Sequence, residues 1–381
     1  YEALNASPVL TLPGAQSATE DAVKQISGIR IADADAGSGQ LLVTMTVAHG
    51  RLTLPQRTGL AFTVGDGVSD QTLTFTGTLD DLNAVLASVQ YLGHTNYAGA
   101  DTLRITVDDQ GNTGTGGPLS DTGTVPITVA PVNDPPVLTV PGAQTVNEDT
   151  SLSIRRVNVA DPDATTNPVM MAIYVEHGTV SLARTFGLNF LVGDGTNDTA
   201  MAFTSSQVYI NAALVQIIYR PAPNYSGSDA VSISVDDQGN IGAGGSQVST
   251  TSIPVTVKPV NDAPALITNQ LLAVPAAGQA LISPSVLQVT DIDSPSHQLV
   301  FTLVSPPTSG ALRLAGSDLG AGSVFTQADI DEGLVSYAHD GSAATSDSFL
   351  FSVTDSAGGT IGETTFNIRI YDAINTPPVL T

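Results

Sequence analysis

The sequence predicts an all-β protein built of three tandem antiparallel β-sandwich domains, arranged as an elongated rod. Three observations predict it. The chain repeats itself at a fixed interval, its apolar residues alternate with period two, and proline-rich segments join the copies.

The repeat is read first. Asn5-Ala6-Ser7-Pro8-Val9-Leu10-Thr11 returns 128 residues later as Asn133-Asp134-Pro135-Pro136-Val137-Leu138-Thr139. It returns after another 128 residues as Asn261-Asp262-Ala263-Pro264-Ala265-Leu266, and after 114 more as Asn375-Thr376-Pro377-Pro378-Val379-Leu380-Thr381. The same offset carries Glu20 onto Glu148, Gly65-Asp66-Gly67 onto Gly193-Asp194-Gly195, and Asp108-Asp109-Gln110-Gly111-Asn112 onto Asp236-Asp237-Gln238-Gly239-Asn240. Domains are therefore expected at 1–132, 133–260 and 261–381, the last with the start of a further linker. Equivalent cut points at both ends are expected of a piece of a longer array.

Alternation comes second. Thr102-Leu103-Arg104-Ile105-Thr106-Val107, its counterpart Ala230–Val235, and Ser348–Val353 place apolar residues at every second position. Period two buries one face of a strand and wets the other, and many short strands without long helices point to an antiparallel sandwich. One segment breaks the pattern. Leu79-Asp80-Asp81-Leu82-Asn83-Ala84-Val85-Leu86 has helical spacing, and the second repeat keeps part of it from Ile210 to Leu214. Third, the linker Pro131-Val132-Asn133-Asp134-Pro135-Pro136 is too rich in proline for a floppy tether, because proline fixes φ and biases the residue before it toward extended backbone.

Composition narrows the function. With no cysteine among 381 residues, disulfides, thiol chemistry and cysteine zinc sites are excluded. Charged residues are 13% of the chain, yet the net charge is −24. Such a surface repels nucleic acid and anionic membranes and attracts cations. Hydrophobic content of 41% suffices for packed cores, and no apolar run approaches the ~18 residues of a membrane span. The first residues lack a basic and apolar leader, so a secreted chain would be a mature product or an internal piece.

Three acidic motifs recur in register. Asp-x-Asp stands at Asp33/Asp35, Asp161/Asp163 and Asp291/Asp293. An acidic turn follows the penultimate strand of each repeat, at Asp108-Asp109, Asp236-Asp237 and Asp355. The linker adds Asn133-Asp134 and Asn261-Asp262, with Asn5 in the first copy. Any one of these alone reads as an Asp capping a turn. Calcium needs 6–8 oxygen ligands, which two loops at one sandwich end and an entering linker supply together. Gly65-Asp66-Gly67, lying between two strands, reads as a hairpin turn.

As a set, an early Glu, Asp-x-Asp, the acidic turn and Val-Asn-Asp-x-Pro resemble the cadherin repeat and the cadherin-like repeats of large bacterial surface adhesins. The third repeat resembles the chondroitin sulfate proteoglycan (CSPG) repeat through Phe325–Ser342. The resemblance implies Greek-key cadherin- or Ig-like sandwiches with calcium at the junctions. It implies Glu20, Asn133, Asp134, Asp161, Asp163, Asp236 and Asp237 around the first internal junction, and Glu148, Asn261, Asp262, Asp291, Asp293 and Asp355 around the second. Asn5, Asp33, Asp35, Asp108 and Asp109 would form the corresponding set of the first repeat. The chain departs from the family where Pro131 and Pro259 replace the Asp that opens the linker, where the Leu-Asp-Arg-Glu motif is missing (Asp80-Asp81 would substitute in the first repeat, but Val208-Tyr209 stands there in the second), where the third repeat lacks the early Glu, and where Thr376 replaces the linker Asp. Fewer ions per junction are expected than the family uses.

No catalytic signature is present: Gly-x-Ser-x-Gly, His-Glu-x-x-His and a phosphate-binding loop are all missing. His49, His177 and His339 fall in turn-like segments. Three glycosylation sequons occur, at Asn5, Asn197 and Asn224. The expected function is a non-enzymatic, calcium-stiffened spacer or adhesive stalk of a large extracellular or cell-surface protein, bacterial by the resemblance. Its partners would be neighbouring repeats and other surface proteins or glycans, with no nucleic acid and no membrane insertion. A carbohydrate- or protein-binding module and the accessory domains of a secreted hydrolase are the alternatives. An aromatic content of only 5% weighs against the first of these.

Overall fold

A computed structural model describes residues 4–164 and 166–372. The fourth linker copy, Asn375–Thr381, lies outside the described residues. The chain divides into two compact units. One runs to Val146 and includes Thr150–Ala222 and Ser228–Thr256; the other takes Asn147–Asp149, Pro223–Gly227 and the chain from Val257.

The first repeat contains β1 (Val9–Thr11), β2 (Gln16–Thr19), β3 (Lys24–Ile26), β4 (Arg30–Ala32), β5 (Gln40–Thr46), β6 (Gly50–Thr53), β7 (Ala61–Val64) and β8 (Thr72–Thr78). Helix α1 (Leu79–Leu86) follows, then β9 (Val89–Gly93), β10 (Gly99–Asp108) and β11 (Ser120–Ala130). A six-stranded sheet in the order β2-β11-β10-β5-β8-β7 faces a three-stranded sheet, β3-β9-β6, while β1 pairs with β4. Every neighbour in the large sheet whose register is described is antiparallel except β2, which runs parallel to β11. The alternation seen in the sequence becomes burial: Leu41, Val43 and Met45 of β5 and Leu103, Ile105 and Val107 of β10 are solvent-free. Each such side chain contributes roughly 1.5–3 kcal/mol.

The second repeat copies this plan. Its three-stranded sheet is Leu152–Ile154, Ile217–Pro221 and Gly178–Leu182, in that order. The third repeat has a five-stranded and a four-stranded sheet around Phe301, Phe325, Phe349, Phe351 and Phe366. Helix α1 is capped by Thr78, whose side chain accepts from Asp81 N–H. Helix α2 (Gln207–Leu214) is a turn longer than the segment its spacing predicts, because Ser206 in extended backbone starts it earlier. The third repeat adds α3 (Gln327–Asp331), opened by a capping box of Thr326 and Asp329. Gly65–Gly67 does join the hairpin of β7 and β8, and Asp70 holds it by accepting from the N–H groups of Asp66, Gly67 and Val68.

Each repeat also carries a tyrosine–aspartate clamp whose tyrosine is buried. The Tyr91 hydroxyl donates to Asp101 Oδ2 at 2.9 Å, and Asp101 accepts from the N–H groups of Ala48, His49 and Thr102. Tyr219–Asp229 (2.6 Å) and Tyr337–Asp347 (2.8 Å) repeat it. Burial pushes the Asp101 carboxyl up, but the three amides and the phenol outweigh it and hold the acid below its usual range.

Candidate metal centre

The Asp-x-Asp loop of the second repeat leaves the strand Asn158–Ala160. Asp161 Oδ1 accepts from Asp163 N–H (2.8 Å) and Ala164 N–H (3.1 Å), closing an Asx turn. That fixes the carboxylate and leaves Oδ2 buried with no donor. Asp163 reaches back to the linker, where its Oδ2 accepts from Asp134 N–H at 2.7 Å. Asn133 gives its side-chain amide to Asp237 Oδ2 (2.6 Å) and Gly245 O (2.9 Å), which orients its Oδ1 into the same cluster. Asp237 Oδ1 is occupied by the N–H groups of Gly239 and Gln247. Glu20 is only 2% exposed and accepts from Val132 N–H.

Three buried oxygens in this cluster therefore have no hydrogen-bond partner among the described residues: Asn133 Oδ1, Asp134 Oδ2 and Asp161 Oδ2. A buried polar atom left unpaired costs about 1–3 kcal/mol, and more when charged. The electrostatics agree. Burial pushes Glu20, Asp134 and Asp161 up, and neighbouring carboxylates add to it: Asp163, Asp21 and Asp134 for Glu20, Asp21 and Asp163 for Asp134, and Asp163 and Asp237 for Asp161.

The second unit holds the same arrangement. Asp291 Oδ1 accepts from the N–H groups of Asp293 and Ser294, both at 2.8 Å, and Asp293 Oδ2 from Asp262 N–H at 2.7 Å. Asn261 donates to Asp355 Oδ2 at 2.8 Å. Glu148 accepts from Val260 N–H at 2.6 Å. The unpartnered oxygens are Asp262 Oδ2 and Asp291 Oδ2. The Asp262 carboxyl is pushed up by desolvation and by Asp149, Asp293, Glu148 and Asp291.

In the first repeat, Asn5 donates to Asp109 Oδ2 (2.8 Å), Ala6 N–H to Asp35 (2.9 Å) and Asp35 N–H to Asp33 (3.1 Å). Asp33 Oδ2 is unpartnered, and Ala6 stands where the other copies have Asp134 and Asp262.

Two residues expected in these sets are turned away. Asp108 and Asp236 are the last residues of their strands, half-exposed, and accept from Gln110 and Gln238 N–H one turn on. Successive side chains of a strand point to opposite faces, so Asp109 and Asp237 face the cluster and their neighbours cannot. Conversely, Asp21 and Asp149 belong to the sets and are absent from the expected residues. Both follow the early Glu at the 128-residue offset and sit at φ of 56° and 57°, so the repeated Glu-Asp pair was the available signal.

All donors are oxygens, the preference of a hard cation such as calcium, and the unpartnered ones are those an ion would satisfy. Among the described residues, no three His, Cys, Asp or Glu side chains as placed could hold one ion by themselves. An ion there would require the Asp side chains to draw together, with Asn133 or Asn261 beside them.

Residues 264–370 match a family model described as Cadherin-like, and residues 21–115 match that of the Protein GAMETE EXPRESSED 2 domain. The mouse (Mus musculus) extracellular matrix organizing protein FRAS1 is 35% identical over 108 residues, 28% of this chain and 3% of that protein. Human (Homo sapiens) chondroitin sulfate proteoglycan 4 is 41% identical over 88 residues, 23% of this chain and 4% of that protein. The chain thus spans a few per cent of the length of these relatives. The solved structure of protocadherin gamma B2 extracellular cadherin domains 1–5 aligns with 98% of this chain and 62% of its own, at 14% identity and a TM-score of 0.43. The chain is built of tandem β-sandwich repeats, and the part similar to the Cadherin-like model is residues 264–370. No helix among the described residues is long and apolar enough to cross a membrane.

Proposed function

We propose that this chain is a spacer or adhesive segment of an extracellular or cell-surface protein, and that calcium bound at its linkers stiffens it. The observation that carries the calcium reading is the recurrence of buried, unpartnered oxygens at Asp161 and Asp291, at Asp134 and Asp262, and at Asn133. Nothing in a turn-capping role requires them, since each Asx turn uses only Oδ1.

Asn133, Asp134, Asp161 and Asp163 would hold one ion with Glu20, Asp21 and Asp237 around it. Asn261, Asp262, Asp291 and Asp293 would hold another with Glu148, Asp149 and Asp355. Calcium supplies positive charge to carboxylates that otherwise repel by about 1 kcal/mol per close pair in water and about 4 kcal/mol near a protein surface. The linker runs straight into Asp134 and Asp262, so an ion there fixes the chain between repeats. Calcium titration by calorimetry tests the reading. Binding that Asp161→Asn and Asp291→Asn each reduce by one class of site supports it; heats indistinguishable from buffer at millimolar calcium reject it.

A further inference from the structure

A cationic face stands out on a chain of net charge −24. Four of its twelve Lys and Arg residues, Arg155, Arg156, Arg184 and Arg220, lie on or beside the three-stranded sheet of the second repeat. All four are exposed, and none has a carboxylate partner among the described residues. No acid occurs in 150–160, 177–193 or 199–228. Asp198, whose backbone bridges Val180, spends its carboxylate on the N–H groups of Asp194, Gly195 and Thr196.

The register places these cations together. Arg155 follows Ile154, which pairs with Ile217, and Ala183 N–H donates to Gln216 O, so Arg155, Gln216 and the Ala183-Arg184 segment lie across one end of the sheet. Arg220 pairs with Thr179 about four residues along, roughly 13 Å at the rise of a strand. Between them the outward positions are Ser153, Ser181 and Ile218. Arg155 and Arg220 make only long bonds, 3.4 Å each, to the hydroxyls of Ser153 and Ser151, and Gln216 donates to Ser153 at 3.0 Å.

Comparison with the first repeat shows that the fold does not require this charge. At the four equivalent positions the first repeat has Ser27, Gly28, Gln56 and Leu92. Arg156 is the telling one. It sits at φ 65° where Gly28 sits at φ 88°, a left-handed backbone that glycine adopts freely and arginine adopts at a cost. Strain held by an exposed, unpaired arginine points to use outside the chain.

We infer that this face binds a sulfated polysaccharide. Guanidinium groups pair with sulfate oxygens through parallel N–H bonds, and the interleaved hydroxyl and amide groups match sugar hydroxyls. No outward position on the three strands is aromatic, and the exposed ring of Phe186, two residues beyond Arg184, packs edge-on against Tyr209. The inference is independent of calcium binding.

Immobilised heparin and chondroitin sulfate, titrated with the full chain at 0.15 M NaCl, test it. Binding is expected that fades with salt and falls at least tenfold in the variant Arg155→Ser, Arg156→Gly, Arg184→Gln, Arg220→Leu, which installs the first repeat's residues. The loop change Arg184→Gln alone weakens it less, and Arg104→Ser on β10 leaves it unchanged. No binding, equal binding by the fourfold variant, or equally tight binding of duplex DNA overturns the inference. So does self-association that the fourfold variant abolishes while glycan binding is absent, since a second copy would then be the occupant.

Discussion

Asp101 and Asp33, met at opposite ends of β10, are treated in opposite ways, while Asp109 at the far end is held low by its own donors, as Asp101 is. At the start of the strand, Asp101 is buried against Tyr91, every lone pair it needs is met by a donor, and its carboxyl is held below the usual range. Just beyond its other end, Asp109 helps to gather Asp33 and Asp35. There Asp33 is pushed up by burial and by Asp35 and Asp109, with Oδ2 unpartnered. The same residue type is a structural anchor in one place and a crowded carboxylate with a free oxygen in the other. What decides between them is the number of donors and the crowding of carboxylates: Asp101 has four N–H and O–H donors, while Asp33 has one and Asp161 two, each beside other carboxylates.

The comparison can be broken most severely at the clamp. Asp101→Ala would strand the amides of Ala48 and His49 and the Tyr91 phenol in the core. A loss of about 3 kcal/mol is expected from such a buried network, read by urea unfolding. Asp161→Asn should do the reverse in calcium-free protein, leaving stability equal or higher because it removes one carboxylate from a crowded cluster. If both substitutions destabilise alike, the distinction between the two settings is lost.

Calcium should sharpen it. At a hundredfold excess over its dissociation constant, one ion adds about 2.7 kcal/mol to the stability of what binds it. The melting temperature of the parent should therefore rise with calcium, and that of the Asp161→Asn, Asp291→Asn double variant should rise much less. Equal rises would assign the ions elsewhere.

Titration separates the two settings by sign. Asp101 and Asp347 have folded values below the model-peptide 3.8, so their contribution is complete above that pH and is lost as pH falls through the lowered values. Asp33, Asp134 and Asp161 have folded values above 3.8; the stability they favour is complete below it and is lost as pH rises through the raised values. Calcium-free protein should thus gain stability on mild acidification from neutral pH before the clamps fail near and below 3.8, and saturating calcium should remove that gain. A flat calcium-free profile would contradict the crowding at the linker ends.

The smallest effect is expected at Ala6, the one linker position where the first repeat lacks the Asp of its copies. Ala6→Asp should destabilise the calcium-free chain by about 1 kcal/mol or less, through repulsion with the nearby carboxylates, and calcium should reverse the effect. Destabilisation that calcium leaves untouched would mark the first copy as unlike the other two.

What the sequence by itself determined is whatever depends on position along the chain. The 128-residue offset, the period-two strands, the helix of Leu79–Leu86 and the recurrence of Asp-x-Asp beside Asn-Asp were all legible, because repetition and alternation are properties of order. Only the tertiary structure decided what depends on parity and register. It turned Asp109 and Asp237 inward and Asp108 and Asp236 outward, a choice set by which face of the strand each residue falls on. It brought Asp21 and Asp149 to the clusters from chain more than a hundred residues before the linker Asp each one joins. It also set Tyr91 on Asp101 across two strands, where one residue of slippage would have sent the phenol to solvent. Carboxylates that read alike in sequence differ in the fold because donors and desolvation reach them through space, and the order of residues does not encode that distance.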